Sequence, residues 1–241
     1  MKSILIHHNR NMTTATMLFL LLLSQFFTIC IGLPNSIHGI FEVNFNENYS
    51  NKSGLSWGTN DDATMSVLVS LSESASLYNC SNKENYSCDD TLGWMYDWNK
   101  LWGKSRCGDY TTYHQNSDRF TFRRCSDSSC DAYIENQNRI QIGAYSYDDG
   151  NKPYDGKHPD LMKTFQNTIL PNTKYNLTLN MNINGTSTFI LSDKDGSHIE
   201  TQYITHNKTC EKNFSKGLLT ALYFGGSCRA PENIIVEYVS E

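Results

Sequence analysis

Apolar and polar residues alternate one by one along most of this chain. Phe41, Val43 and Phe45 alternate with Glu42 and Asn44, and Tyr175, Leu177, Leu179, Met181 and Ile183 alternate with Asn and Thr. The same period recurs over residues 65–71, 119–123, 139–147, 186–191, 199–204, 218–224 and 234–239. A period of two sends successive side chains to opposite faces of a strand, so each run predicts a half-buried β-strand, one face inward and one face wet. Asn184-Gly185, Asp149-Gly150, Asp195-Gly196 and Gly225-Gly226 punctuate the runs as turns. Only one segment reads as helix: Pro159 suits a first turn, and Leu161 and Phe165 share a face four residues apart. The pattern predicts an all-β chain, a two-sheet antiparallel sandwich of jelly-roll, concanavalin A-like type with one short helix.

Residues 1–32 stand apart from this pattern. Lys2 and Arg10 precede an apolar run from Met17 to Leu23, continued by Phe26, Phe27 and Ile29 and closed by Gly32 and Pro34. That order describes a secretory signal peptide cleaved near Gly32. Ser24 and Gln25 interrupt the apolar core, which falls short of the ~20 residues needed to span a bilayer. The expectation is a secreted, extracellular protein with one β domain over 33–241 and no membrane attachment after cleavage. Loss of Lys2 and Arg10 takes the net charge from −5 to −7. An acidic chain lacks the basic footprint of a nucleic-acid binder.

Cysteine usage agrees with an oxidising compartment. Of eight Cys, Cys30 leaves with the leader. Local pairing would join Cys80 to Cys88, Cys125 to Cys130 and Cys210 to Cys228, leaving Cys107 alone; other connectivities fit the same count. There is no Cys-x-x-Cys and no His at ligand spacing, so no metal and no cofactor is expected. Eight Asn-x-Ser/Thr sequons follow the leader, at Asn48, Asn51, Asn79, Asn85, Asn176, Asn184, Asn207 and Asn213, and mark expected glycosylation sites.

The chemistry concentrates in residues 94–147. On one strand Phe120 and Phe122 face one way, and Arg119, Thr121 and Arg123 the other. On a second, Ile140, Ile142 and Ala144 oppose Gln141, Gly143, Tyr145 and Tyr147. With both apolar faces in the core, the polar faces share one sheet surface, cationic and aromatic on an acidic protein, and Trp94, Trp98 and Trp102 lie nearby in sequence. Arginine forks onto carboxylates and flat aromatics stack on sugar rings, so the surface suits a polysaccharide. A solvated, salt-bridged strand face is the alternative reading. Other constellations are weaker. Asp148, Asp149, Asp193 and Asp195 are explained by their turns. Asp97, His114 and Ser117 lack a nucleophile-elbow setting, and no phosphate-binding glycine loop is present.

The segment Asn99-Lys100-Leu101-Trp102-Gly103 resembles the lysine-bearing Lys-Leu-Pro-Gly segment of family-14 polysaccharide lyases, with Trp102 in place of the proline. The run from Ser117 to Arg123 is similar to that family's Ser-x-Arg strand, and Tyr145-Ser146-Tyr147 to its Tyr-x-Tyr strand. Tyr223-Phe224-Gly225-Gly226-Ser227 and Ala230-Pro231 look like its closing elements. The resemblance implies a β-jelly-roll enzyme that cleaves a uronate polysaccharide such as alginate or glucuronan by β-elimination. Lys100, Ser117, Arg119, Tyr145 and Tyr147 are then its catalytic residues; Trp102, Arg123, Gln141 and His114, from the same cationic and aromatic region, are expected to bind the polysaccharide. A non-catalytic, lectin-like carbohydrate-binding jelly roll is the alternative.

Overall fold

The computed structural model describes residues 37–50, 56–78, 98–111, 114–126, 130, 132–153, 158–210, 212–225 and 229–239. Among these residues twelve strands form two six-stranded antiparallel sheets. One has the order β1 (His38–Val43), β12 (Ile234–Val239), β3 (Thr64–Leu71), β8 (Tyr175–Met181), β9 (Thr186–Asp193), β10 (His198–Thr205). The other runs β2 (Ser56–Asn60), β11 (Gly217–Thr220), β4 (Asn99–Ser105), β5 (Ser117–Arg124), β6 (Ile140–Tyr147), β7 (Met162–Ile169). The sequence-predicted sandwich is the fold. One short helix, α1 (Ser74–Leu77), lies outside both sheets.

The core fills the space between the inner faces. Phe41, Val43, Val67, Val69, Leu71, Leu177, Leu179, Phe189, Leu191, Val236 and Tyr238 come from the first sheet. Leu101, Trp102, Phe120, Phe122, Ile140, Ile142, Phe165 and Leu219 come from the second. The ring of Phe120 stands edge-on to Phe189 at 5.2 Å, joining the two layers. The hairpins turn where glycine supplies a positive φ: Gly185 (83°) between β8 and β9, Gly196 (84°) between β9 and β10.

Four expectations are corrected. The helix predicted around Pro159 and Phe165 is a single 3₁₀ turn, Pro159–Leu161, leading into β7. Leu161, Phe165 and Ile169 are buried at intervals of four, and four is a repeat common to one helical turn and two strand periods. β1 ends at Val43 and β8 at Met181, leaving Phe45 and Ile183 exposed in the following turns. Cys210 pairs with Cys107, not with Cys228, because the ends of β4 and β10 converge at one end of the sandwich with Cα atoms 5.1 Å apart. Proximity in sequence was the wrong guide to this pair, whereas Cys125 does bond Cys130. Finally, β4, β5 and β6 are buried on both faces, so the face turned away from the core is not a wet surface. Residues 1–32, Cys80, Cys88, Cys228 and the sequons at Asn51, Asn79 and Asn85 lie outside the described residues. Asn48, Asn184, Asn207 and Asn213 lie in turns and loops, and Asn176 lies on β8.

One buried ammonium lies among the apolar layers. Lys104 points inward from β4 and donates to Asn60 Oδ1 at 3.0 Å and to the Asp62 carbonyl. Burial pulls its pKa from 10.5 to about 8, against the opposing pull of Asp62, Asp61 and Asp118. Between these two values the unfolded chain binds more protons than the folded one, so the Lys104 contribution to stability rises as pH climbs from 8 towards 10.5. Tyr238 acts in the opposite sense above pH 10, because burial keeps its phenol protonated in the fold. Urea unfolding between pH 7 and 10 should therefore show the wild type gaining up to about 3 kcal/mol relative to Lys104→Met. The Cys107–Cys210 bridge closes a loop of 103 residues. Replacing both cysteines by serine should lower unfolding stability by about 4–5 kcal/mol in the same assay.

Candidate functional site

The site is built on the face of β4, β5 and β6 that points away from the core. Register fixes its rows. Arg119 pairs with Tyr145, Ser117 with Tyr147, Thr121 with Gly143, and Arg123 with Gln141. Phe120, Phe122, Ile142 and Ala144 alternate with these residues and enter the core, which holds the polar members outward.

β4 joins by an irregular register. Lys100 pairs with Thr121 and Trp102 with Phe120, so Leu101 is the extra residue of a bulge. Leu101 and Trp102 consequently both face the core, and Lys100 and Gly103 both face outward. Trp102, expected to bind substrate, is instead buried and stacked on Phe120 at 6.0 Å. Simple alternation would have put it beside Lys100; the bulge turns it over. Gly103 is required where it stands. A Cβ there would lie 2.1 Å from the Asp118 carbonyl oxygen and 2.6 Å from the Arg119 Cα.

The remaining predicted residues converge. Lys100 Nζ lies 4.4 Å from the centre of the Tyr145 ring and donates to the Trp98 carbonyl at 2.7 Å. The Arg119 guanidinium sits 5.4 Å from the Tyr147 ring, and the Tyr145 and Tyr147 rings meet edge to face at 5.5 Å. His114 lies 5.3 Å from the Tyr147 ring. Burial lowers the His114 pKa, and Arg119, Lys152 and Lys100 lower it further, so its imidazole is neutral at pH 7 and able to accept a proton. At the other end of the file Arg123 stacks on Trp98 at 4.6 Å and donates from Nε to Gln141 Oε1 at 2.8 Å. Gln141 is itself anchored, donating to the Phe165 carbonyl at 3.3 Å. Cation–aromatic contacts of this kind hold a charged group in one orientation.

Burial separates this patch from an ordinary strand face. Lys100 is 5% exposed, Arg119 4%, and Ser117, Gln141 and Tyr145 0%. Electrostatic interactions strengthen where water is excluded, so cations held here act strongly on an anion that reaches them. Among the described residues no three His, Cys, Asp or Glu side chains gather as a metal-binding group.

Two contributors escaped the sequence reading. Met162 lies on β7, the strand mistaken for a helix. Gly143 lets its neighbours close tightly over the sheet, because a Cβ at that position would meet Met162 Cε at 2.5 Å, Thr121 Oγ1 at 2.8 Å and Trp98 Cζ3 at 2.9 Å. In sequence Trp98 is only an aromatic near β4, and its packing against Gly143 carries no signal there.

No protein-family model matches the chain, and no curated protein sequence matches it. Solved structures do. The alginate lyase Aly36B is similar over 83% of this chain and 78% of its own, at 14% identity and a TM-score of 0.47. A double mutant of that enzyme in complex with alginate tetrasaccharide matches over the same shares at 12% identity and 0.46. An endo-β-1,4-glucuronan lyase from the fungus Trichoderma reesei is similar over 87% of this chain and 75% of its own, at 10% identity and 0.32.

Gly143→Ala tests this packing. The added methyl should displace Trp98 and Met162, cost about 1–3 kcal/mol of stability, and change the tryptophan emission of the folded protein. Unfolding and fluorescence measured on the same sample check both effects.

Proposed function

We propose that this protein is a secreted polysaccharide lyase that cleaves a uronate-containing polysaccharide by β-elimination. The observation that carries the reading is the meeting of the buried Lys100, Arg119 and Tyr145 with the half-buried Tyr147 in one patch, with the Lys100 ammonium 4.4 Å from the Tyr145 ring. A uronate carboxylate entering the patch meets two cations. Once its charge is neutralised, the proton on the carbon next to it becomes removable, because the electron pair left behind spreads into the carboxyl group. A base takes that proton, the pair forms a carbon–carbon double bond, and the 4-linked oxygen leaves and accepts a proton.

In this reading Arg119 and Lys100 stabilise the charge that develops on the carboxyl group. Tyr145 and Tyr147 exchange the protons as general base and general acid. His114 is a further proton acceptor beside Tyr147. Ser117 pairs with Tyr147 across the strands and belongs to the same end of the patch. Arg123 and Gln141, braced by Trp98, bind the chain further along the strand. Residues 1–32 direct secretion, and the sequons carry glycans, Asn184, Asn207 and Asn213 being exposed among the described sites.

The test is the ultraviolet absorbance of the unsaturated product during incubation with alginate, glucuronan and pectate. The wild type should generate it on at least one polymer, and Arg119→Ala should slow it by about 10²–10³-fold. A flat trace on all three, together with retention of the protein on an immobilised polyuronate, would replace cleavage by binding alone.

A further inference from the structure

Behind the patch, on the inner side of the same strands, lies a buried anion that the elimination does not touch. Asp118 sits between Ser117 and Arg119, and Ser146 sits between Tyr145 and Tyr147; the two pair across β5 and β6 and point into the sandwich. Ser146 Oγ donates to Asp118 Oδ1 at 2.5 Å. From the opposite sheet, Ser187 Oγ on β9 donates to Oδ2 at 2.8 Å, and His206 Nε2, just past β10, lies 3.0 Å from Oδ1. Arg106, just past β4, brings Nε within 3.7 Å of Oδ2 and donates from Nη2 to Asp148 Oδ1 at 2.7 Å. Asp148 also accepts the backbone N–H groups of Asn207 at 2.7 Å and Lys208 at 3.1 Å. All six side chains are buried.

Burial pushes the Asp118 carboxyl up, but His206, Arg106 and Ser146 outweigh it and hold the group well below the usual carboxylate range. An ionised carboxylate in the interior is stable only where donors surround it, and removing one leaves a strong unmet demand. Successive residues of a strand share their backbone while facing opposite ways. A force that fixes Asp118 and Ser146 on the inner face therefore fixes the tilt of Ser117, Arg119, Tyr145 and Tyr147 on the outer one.

We propose that Asp118 is a positioning residue for the outer patch, acting through Ser146 on the two tyrosines and through its own backbone on Ser117 and Arg119. The proposal rests on the lyase reading for its kinetic readout alone.

Ser146→Ala and Ser187→Ala provide the test, since each deletes one hydroxyl donor to the same carboxylate, one from between the tyrosines and one from the far sheet. Both should fold and lose comparable stability. Ser146→Ala should lower kcat by about tenfold with KM nearly unchanged, whereas Ser187→Ala should leave both within about twofold. NMR signals of the Tyr145 and Tyr147 rings should shift in Ser146→Ala and not in Ser187→Ala. That arm is read whether or not the wild type cleaves any polymer, so failure of the lyase reading leaves it standing. Equal effects of the two variants on the ring signals would overturn the proposal, as would equal effects on kcat in an active protein.

Discussion

One extra residue on one strand organises the patch. Leu101 and Trp102 are neighbours, yet both face the core. Were β4 regular, Lys100 and Trp102 would share a face and Lys104 would join them outside. The bulge instead sends Lys100 outward towards Tyr145, seats Trp102 on Phe120, and turns Lys104 and Arg106 into the sandwich. It works only because the next outward position is glycine. Any side chain at Gly103 would collide with the β5 backbone between Asp118 and Arg119. A bulge next to a glycine thus sorts four cationic or aromatic side chains between two faces that a plain period of two would have mixed.

The sorting has an electrostatic result. Cations and rings gather on the outer face of β4 to β6: Lys100, Arg119 and Arg123 with Trp98, Tyr145 and Tyr147. The anions of the same region, Asp118 and Asp148, lie inside with Arg106 and His206. An acidic protein can therefore hold a cluster of cations on one buried strand face, since its nearest carboxylates are occupied within the sandwich. Distance and screening by solvent reduce the remaining surface charge far more than they reduce these short, desolvated contacts.

What the sequence reveals depends on whether the two faces of a strand differ in polarity. β3, β8, β9 and β12 each have one wet face, and their alternation is plain in residues such as Leu177, Leu179, Phe189 and Leu191. β4 is buried on both faces and bulged at Leu101, so Asn-Lys-Leu-Trp-Gly-Lys-Ser carries no period of two. β7 was mistaken because its inward residues recur at four, a spacing that helix and strand share. That Arg119 and Tyr145 share one sheet face could be read because Phe120, Phe122, Ile140 and Ile142 fix which way each strand turns; their direct pairing is set by the register. The inward course of Trp102 and the Cys107–Cys210 bond could not, since both depend on contacts made across the register or between the sheets.

The strand order also governs how the chain is made. β12 is the last of the described strands, yet it lies between β1 and β3, pairing His38–Val43 on one side and Val69 and Leu71 on the other. β11 is similarly inserted late, between β2 and β4. Neither sheet can close while the ribosome is still making the middle of the chain. Until residues 217–239 emerge, β1, β3, β2 and β4 keep open hydrogen-bonding edges of the kind that recruit other chains. A nascent molecule of this topology spends most of its synthesis with those edges unguarded, and its yield in a cell depends on what shields them in that interval.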